Sequence, residues 1–99
     1  MPRPVRLEPQ EVRERVADLP EWTEKQGKLH REYKFPDFAQ AFAFMTYVAA
    51  AAEKMDHHPE WLNVYNRVTV DLSTHDAGGI TMLDFELAAK MEKFASKLR

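Results

Sequence analysis

Five apolar residues, Phe38, Phe42, Met45, Ala49 and Ala52, recur at spacings of four, three, four and three. Only an α-helix brings such a series to one side of the chain. Pro36-Asp37 opens this helix, and Asp37 with Gln40 three residues on resembles a capping box. Pro59 ends it and biases His58 toward extended backbone. The alanines at 49 to 52 let the helix approach closely whatever it covers. The apolar window from Ala41 to Ala52 is too short to span a bilayer and suits a buried core helix.

Strand-like segments flank this helix on both sides. Between Trp22 and Phe35 the period becomes two: Leu29, Tyr33 and Phe35 alternate with His30, Glu32 and Lys34, and Gln26-Gly27 supplies a turn. A hairpin is expected. After Pro59, Asn63-Val64-Tyr65 leads into Arg67 to Thr74, where Val68, Val70 and Leu72 share one face, as in a half-buried antiparallel strand. A short helix between Pro9 and Pro20, with Val12, Val16 and Leu19 as its stripe, precedes the hairpin. A last helix, capped by Thr81 after the loop Ala77-Gly78-Gly79, carries Leu83, Leu87, Met91, Phe94 and Leu98. Each helix has one apolar stripe and the best strand one apolar face. The expectation is an α+β two-layer sandwich in the order α-β-β-α-β-β-α, with helices packed on one face of one sheet. Ninety-nine residues make one domain over residues 1–99.

Composition removes several function classes. Fourteen basic and 16 acidic residues give a net charge of −2, which argues against direct nucleic-acid binding. There is no cysteine, hence no disulfide, thiolate metal site or cysteine nucleophile. That is compatible with a reducing cytoplasm. The first residues carry charge with no apolar stretch behind them, unlike a signal peptide.

Three of the four histidines fall at element ends, where side chains escape packing and can meet in a cleft. His57 and His58 stand where the central helix stops, and His75 where the last strand stops. Glu53, four residues before His57, shares its helix face, where a carboxylate could orient the imidazole, fix its tautomer and favour its charged form. Plainer readings stand beside this one. A histidine pair at a helix end is commonly an exposed polar terminus. Glu53, His57, His58 and His75 also offer enough nitrogen and oxygen for zinc, although adjacent residues chelate one ion poorly on a regular helix. Thr81-x-x-Asp84 is a capping box in its own right. His30 reads as a surface or interface residue, and Trp61 and Tyr65 as packing residues or an aromatic wall for a flat ligand.

The run Glu53-Lys54-Met55-Asp56-His57-His58-Pro59-Glu60-Trp61-Leu62-Asn63-Val64-Tyr65-Asn66, continued by Leu72-Ser73-Thr74-His75, Gly79-Ile80-Thr81 and Asp84, resembles the pterin-4a-carbinolamine dehydratase family, also called the dimerisation cofactor family. The resemblance is specific over residues 53 to 84 and extends over about 20 to 98. It implies a four-stranded antiparallel sheet, in agreement with the reading above. It also implies dehydration of 4a-hydroxytetrahydrobiopterin, or a related 4a-hydroxytetrahydropterin, to the quinonoid dihydropterin, in recycling for an aromatic amino acid hydroxylase, without metal or organic cofactor. By position, His57, His58 and His75 are the implied catalytic histidines, with Glu53 and Asp84 as supporting carboxylates. The implied pterin contacts are His57, His58, Pro59, Trp61, Thr74, His75, Asp76 and Ala77. Animal relatives also act as coactivators that hold dimerisation helices, which is the alternative function. Family members form homodimers or homotetramers, and Met82, Phe85 and Ala89 on the last helix are the apolar excess expected to serve such an interface.

Overall fold

A computed structural model describes residues 4–98. In chain order the elements are α1 (Pro9–Val16), β1 (Thr23–Lys25), β2 (Lys28–Lys34), α2 (Phe38–Met55), β3 (Glu60–Val64), β4 (Arg67–Leu72) and α3 (Met82–Ser96), with a 3-10 turn at His75–Ala77. The four strands form one antiparallel sheet in the order β1-β2-β4-β3. The expected order of elements is therefore present.

Local chemistry explains the turns. Gln26 and Gly27 both take positive φ, 55° and 78°, which gives a two-residue hairpin whose twist matches its strands. α1 stops at Val16, short of the span expected up to Pro20. The proline disfavours helical backbone at Leu19, and the chain leaves through single turns, Asp18 N–H to Arg15 O and Leu19 N–H to Val16 O. At α2 the Asp37 side chain accepts from the Gln40 N–H at 2.8 Å.

The core fills the space between the sheet and α2 and α3. Leu29, Tyr33, Val68, Val70 and Leu72 face Phe44, Val48, Leu87 and Met91, all without solvent exposure. The α2 stripe differs from the expected one. The buried series is Ala41, Phe44, Val48 and Ala52, whereas Phe38 and Phe42 are about half exposed, at 49% and 54%, and Ala49 is exposed too. α2 carries apolar residues on more than one side, so two series satisfy the same spacing rule. The small Ala41 and Ala52 allow the close approach that selects the second. On α3, Phe85 is buried in the protein's own core and so is no part of an exposed apolar surplus. The exposed large apolar side chains lie instead on α2 (Phe38, Phe42, Tyr47) and around the β3 edge (Leu62, Val64, Tyr65), with Val5 before α1 and Met82 at the start of α3.

Arg31 sits on the inner face of β2 between Leu29 and Tyr33, only 5% exposed. Its guanidinium donates to Glu92 Oε2 at 2.5 Å, and the same oxygen accepts from Trp22 Nε1 at 3.0 Å and from the Tyr33 hydroxyl. The arginine also lies 4.1 Å from the Tyr33 ring centre. A buried charge survives here because a carboxylate from α3 reaches it. Burial, and the Glu92 carboxylate beside it, hold the Tyr33 phenol protonated far above the ordinary tyrosine range.

Candidate active site

The end of α2 places the first two histidines. Asp56 adopts the left-handed conformation, φ 51° and ψ 44°. Its N–H bonds Glu53 O, and the His57 N–H bonds Ala52 O at 3.1 Å. These two bonds make a Schellman ending, with aspartate where glycine is usual. The reversal turns His57 inward toward the start of α3 and leaves His58 outside. The anticipated Glu53–His57 pair on one helix face is therefore not formed, because His57 no longer lies on the helix. Glu53 Oε1 instead meets His58 Nε2 at 2.7 Å, and both side chains are exposed.

His57 is paired with Asp84. Their Nε2 and Oδ1 are 2.6 Å apart, with His57 7% exposed and Asp84 fully buried. Asp84 belongs to a capping box with Thr81, and its second oxygen accepts from the Thr81 N–H at 2.8 Å and from the Thr74 hydroxyl at 2.9 Å. Since Thr74 spends its proton on Asp84, the Thr81 hydroxyl donates to Thr74 across 2.6 Å while accepting from the Leu83 N–H at 3.2 Å. Every proton in this chain points toward the carboxylate. An ionised Asp84 can only accept, so His57 Nε2 carries a hydrogen. Among the described residues His57 Nδ1 has no hydrogen-bond partner, and it is not sealed from solvent, which leaves it available to a ligand. The two sequence readings of Asp84, cap and supporting carboxylate, are one arrangement, because the two oxygens serve different partners.

His75 arrives on a loop closed by a bridge between Thr74 and Gly79. The Thr74 N–H bonds Gly79 O at 2.8 Å, and the Gly79 N–H bonds Thr74 O at 3.3 Å. Inside this loop Gly78 takes φ 73°, which a residue with a Cβ rarely adopts. His75 is exposed, and its ring makes no hydrogen bond or ion pair among the described residues.

His57, His58 and His75 line one open cleft of about 770 Å³, together with Thr74 and Asp76. The remaining wall comes from Pro4, Met55, Asp56, Ser73, Met82, Leu83 and Glu86. Among the residues expected to touch a ligand, Pro59, Trp61 and Ala77 do not line this cleft, and Glu53 and Asp84 stand behind the histidines they bind. Trp61 faces inward on β3, opposite Val70, and packs against the core. The reversal at Asp56 carries the chain after His58 away from the cleft and into β3. Sequence reasoning missed Glu86, Met82 and Leu83, although the α3 capping box that brings the helix start to the histidines could have pointed to them. Among the described residues, no three His, Asp or Glu side chains gather closely enough to hold a metal ion. No helix among them is long and apolar enough to cross a membrane.

The arrangement offers two histidines held by carboxylates and a third carried by backbone, all facing an open cleft. An imidazole can donate a proton or accept one, so the set offers both an acid and a base.

Comparison with known proteins adds an independent line. The family model described as pterin 4 alpha carbinolamine dehydratase matches residues 5–94. A protein of Solibacter usitatus, provisionally named pterin-4-alpha-carbinolamine dehydratase, is 57% identical over 92% of this chain and 96% of its own length. One from Sinorhizobium medicae with the same provisional name is 52% identical over 94% of this chain and 90% of its own. A crystal structure of a transcriptional coactivator/pterin dehydratase from Brucella melitensis superposes with a TM-score of 0.88 at 47% identity, covering 91% of this chain and 98% of that one. A pterin dehydratase-like RuBisCO assembly factor of the alpha-carboxysome shares the fold, with a TM-score of 0.62 at 24% identity, covering 75% of this chain and 86% of that one.

Proposed function

The chain belongs to the pterin 4 alpha carbinolamine dehydratase family, and from that premise we propose that it dehydrates a 4a-hydroxytetrahydropterin by histidine general acid/base catalysis. The substrate on this reading is 4a-hydroxytetrahydrobiopterin or a close relative, and the products are quinonoid dihydropterin and water. What carries the reading is His57, held by a buried carboxylate at 2.6 Å on the wall of a cleft that His58 and His75 also line.

The reaction needs two proton movements. Hydroxide is a poor leaving group, so an imidazolium gives its proton to the oxygen on carbon 4a. The C4a–O bond breaks with its electron pair on the departing water. The electrons of the N5–H bond close a C4a=N5 double bond while a neutral imidazole takes that proton. Each transfer is typically worth about 10²–10⁴ in rate. We assign most of the proton transfer to His57 and His58, whose carboxylates fix the tautomer and ring orientation. His75 holds and polarises the pterin. No step requires a metal or organic cofactor. Recycling of the pterin for an aromatic amino acid hydroxylase, in the cytoplasm, is the setting that fits the reaction.

The test is stopped-flow formation of quinonoid dihydropterin from a 4a-hydroxy intermediate generated in situ, with and without the protein. A protein-dependent acceleration supports the reading, and an unchanged buffer rate ends it. Among variants, His57→Ala and His58→Ala should lose most turnover. If His75→Ala alone abolished turnover, the division of roles would be wrong.

A second reading rests on a different surface. Phe38 and Phe42, one turn apart and ring against ring, form an exposed apolar face on α2, and the Brucella relative is described as a coactivator as well as a dehydratase. Such a face suits a helix, from a second copy in a homodimer or homotetramer or from a protein partner held without DNA contact. Light scattering that finds only an 11.6 kDa monomer would remove the self-association. A stoichiometric complex with a helical partner, together with no dehydratase activity, would favour the binding module over the enzyme.

A further inference from the structure

The three histidines of the cleft are not held alike. His57 and His58 each lean on a carboxylate, whereas His75 depends on the backbone of its loop. That loop is closed by the Thr74–Gly79 bridge, so whatever holds the bridge holds His75. The start of the chain lies against it. The Leu7 N–H donates to Ile80 O at 2.8 Å, next to the bridge. The methylene stem of Arg6 lies over Gly79: a Cβ built there would sit 2.6 Å from Arg6 Cδ and 3.0 Å from Cγ. The missing Cβ at Gly79 is what lets the Arg6 stem lie this close, whereas Gly78 is favoured by its positive φ. Two residues earlier, Pro4 lines the histidine cleft itself.

We propose that residues 4–7 form a strap that positions His75, with Arg6 acting through Gly79 on the bridge that closes the loop. Arg6 is a positioning residue. Its contribution comes from the packed stem and not from the charge. The proposal rests on the dehydratase reading, because it assigns the strap its consequence for pterin binding.

The strap is tested with Arg6→Ala, which empties the space over Gly79, and Arg6→Met, which keeps an unbranched stem there without the charge. In Arg6→Ala, exchange of the Thr74 and Gly79 amides should quicken by about fivefold or more, as expected when a local clamp is removed without global unfolding. The KM for the pterin should rise about fivefold with kcat within about twofold, the pattern of a lost binding contact. Arg6→Met should restore both, and an unchanged Tm excludes general destabilisation. Amide exchange or KM at the wild-type value in Arg6→Ala overturns the strap. A KM defect that the uncharged Arg6→Met fails to rescue does so too, by showing that the packed stem is not what matters. Wild-type protein that neither binds a stable reduced pterin, 6-methyl-7,8-dihydropterin, nor turns over substrate removes the dehydratase reading and this role with it. Wild-type binding matched by Arg6→Ala binding removes the strap alone.

Discussion

Asp84→Asn separates the two jobs of the buried carboxylate. Asp84 accepts three hydrogen bonds: 2.6 Å from His57 Nε2, 2.8 Å from the Thr81 N–H and 2.9 Å from the Thr74 hydroxyl. Asparagine has one acceptor oxygen and one donor NH2. Turning the NH2 toward the threonines would strand the buried Thr81 N–H, at about 1–3 kcal/mol. The oxygen should therefore stay on that side and the NH2 should face His57. Nε2 must then accept, so the ring proton moves to Nδ1, the nitrogen left open to the cleft. The loss of one charge-assisted hydrogen bond costs about 1.5–3 kcal/mol. In a chain of this size that lowers Tm by roughly 10 °C. Without its base at Nδ1, turnover should fall by about 10²-fold or more. Urea denaturation reads the first effect, stopped-flow kinetics the second, and long-range ¹H–¹⁵N NMR of the ring the tautomer. A variant that keeps the proton on Nε2 and turns over within about threefold of wild type would refute the reasoning.

The other pairs behave differently because their burial differs. Glu53→Gln breaks an exposed contact to His58, so stability should change by less than about 0.5 kcal/mol in thermal melts while turnover falls less than in Asp84→Asn. Glu92→Ala strands the buried Arg31 guanidinium and should cost about 3 kcal/mol or more by urea denaturation, with the His57–Asp84 contact intact by NMR. Tyr33 binds its proton more tightly in the fold than in the unfolded chain, so the stability it contributes is complete below about pH 10 and declines above it by roughly 1.4 kcal/mol per pH unit. Denaturation curves should show that decline in the wild type, and Tyr33→Phe should flatten it.

The fold was legible where one physical rule acted alone. Gln26-Gly27 and the alternation of Val68, Val70 and Leu72 each admit one local geometry, and both stand in the structure as expected, whereas α2 ends at Met55 on the left-handed Asp56 and not at Pro59. α2 was ambiguous because Phe38-Phe42-Met45 and Ala41-Phe44-Val48 both satisfy helical spacing, and only tertiary packing decides between them. Arg31 was invisible as a core residue because the reason for its burial, Glu92, lies 61 positions away. At the cleft, the histidines and Asp84 could be named from their motif. Their pairing could not, since it depends on a left-handed Asp56 that turns His57 off the helix and gives Glu53 to His58. The Arg6–Gly79 contact left no local signal at all, because it joins residues far apart in sequence through a missing Cβ.

The central claim is that three imidazoles from two separate turns address one pterin. The most direct measurement follows the ring ¹H–¹³C signals of His57, His58 and His75 while a stable reduced pterin is titrated in. The account predicts that all three shift together and saturate with one Kd. Signals that stay fixed, or a shift confined to a single ring, would contradict it.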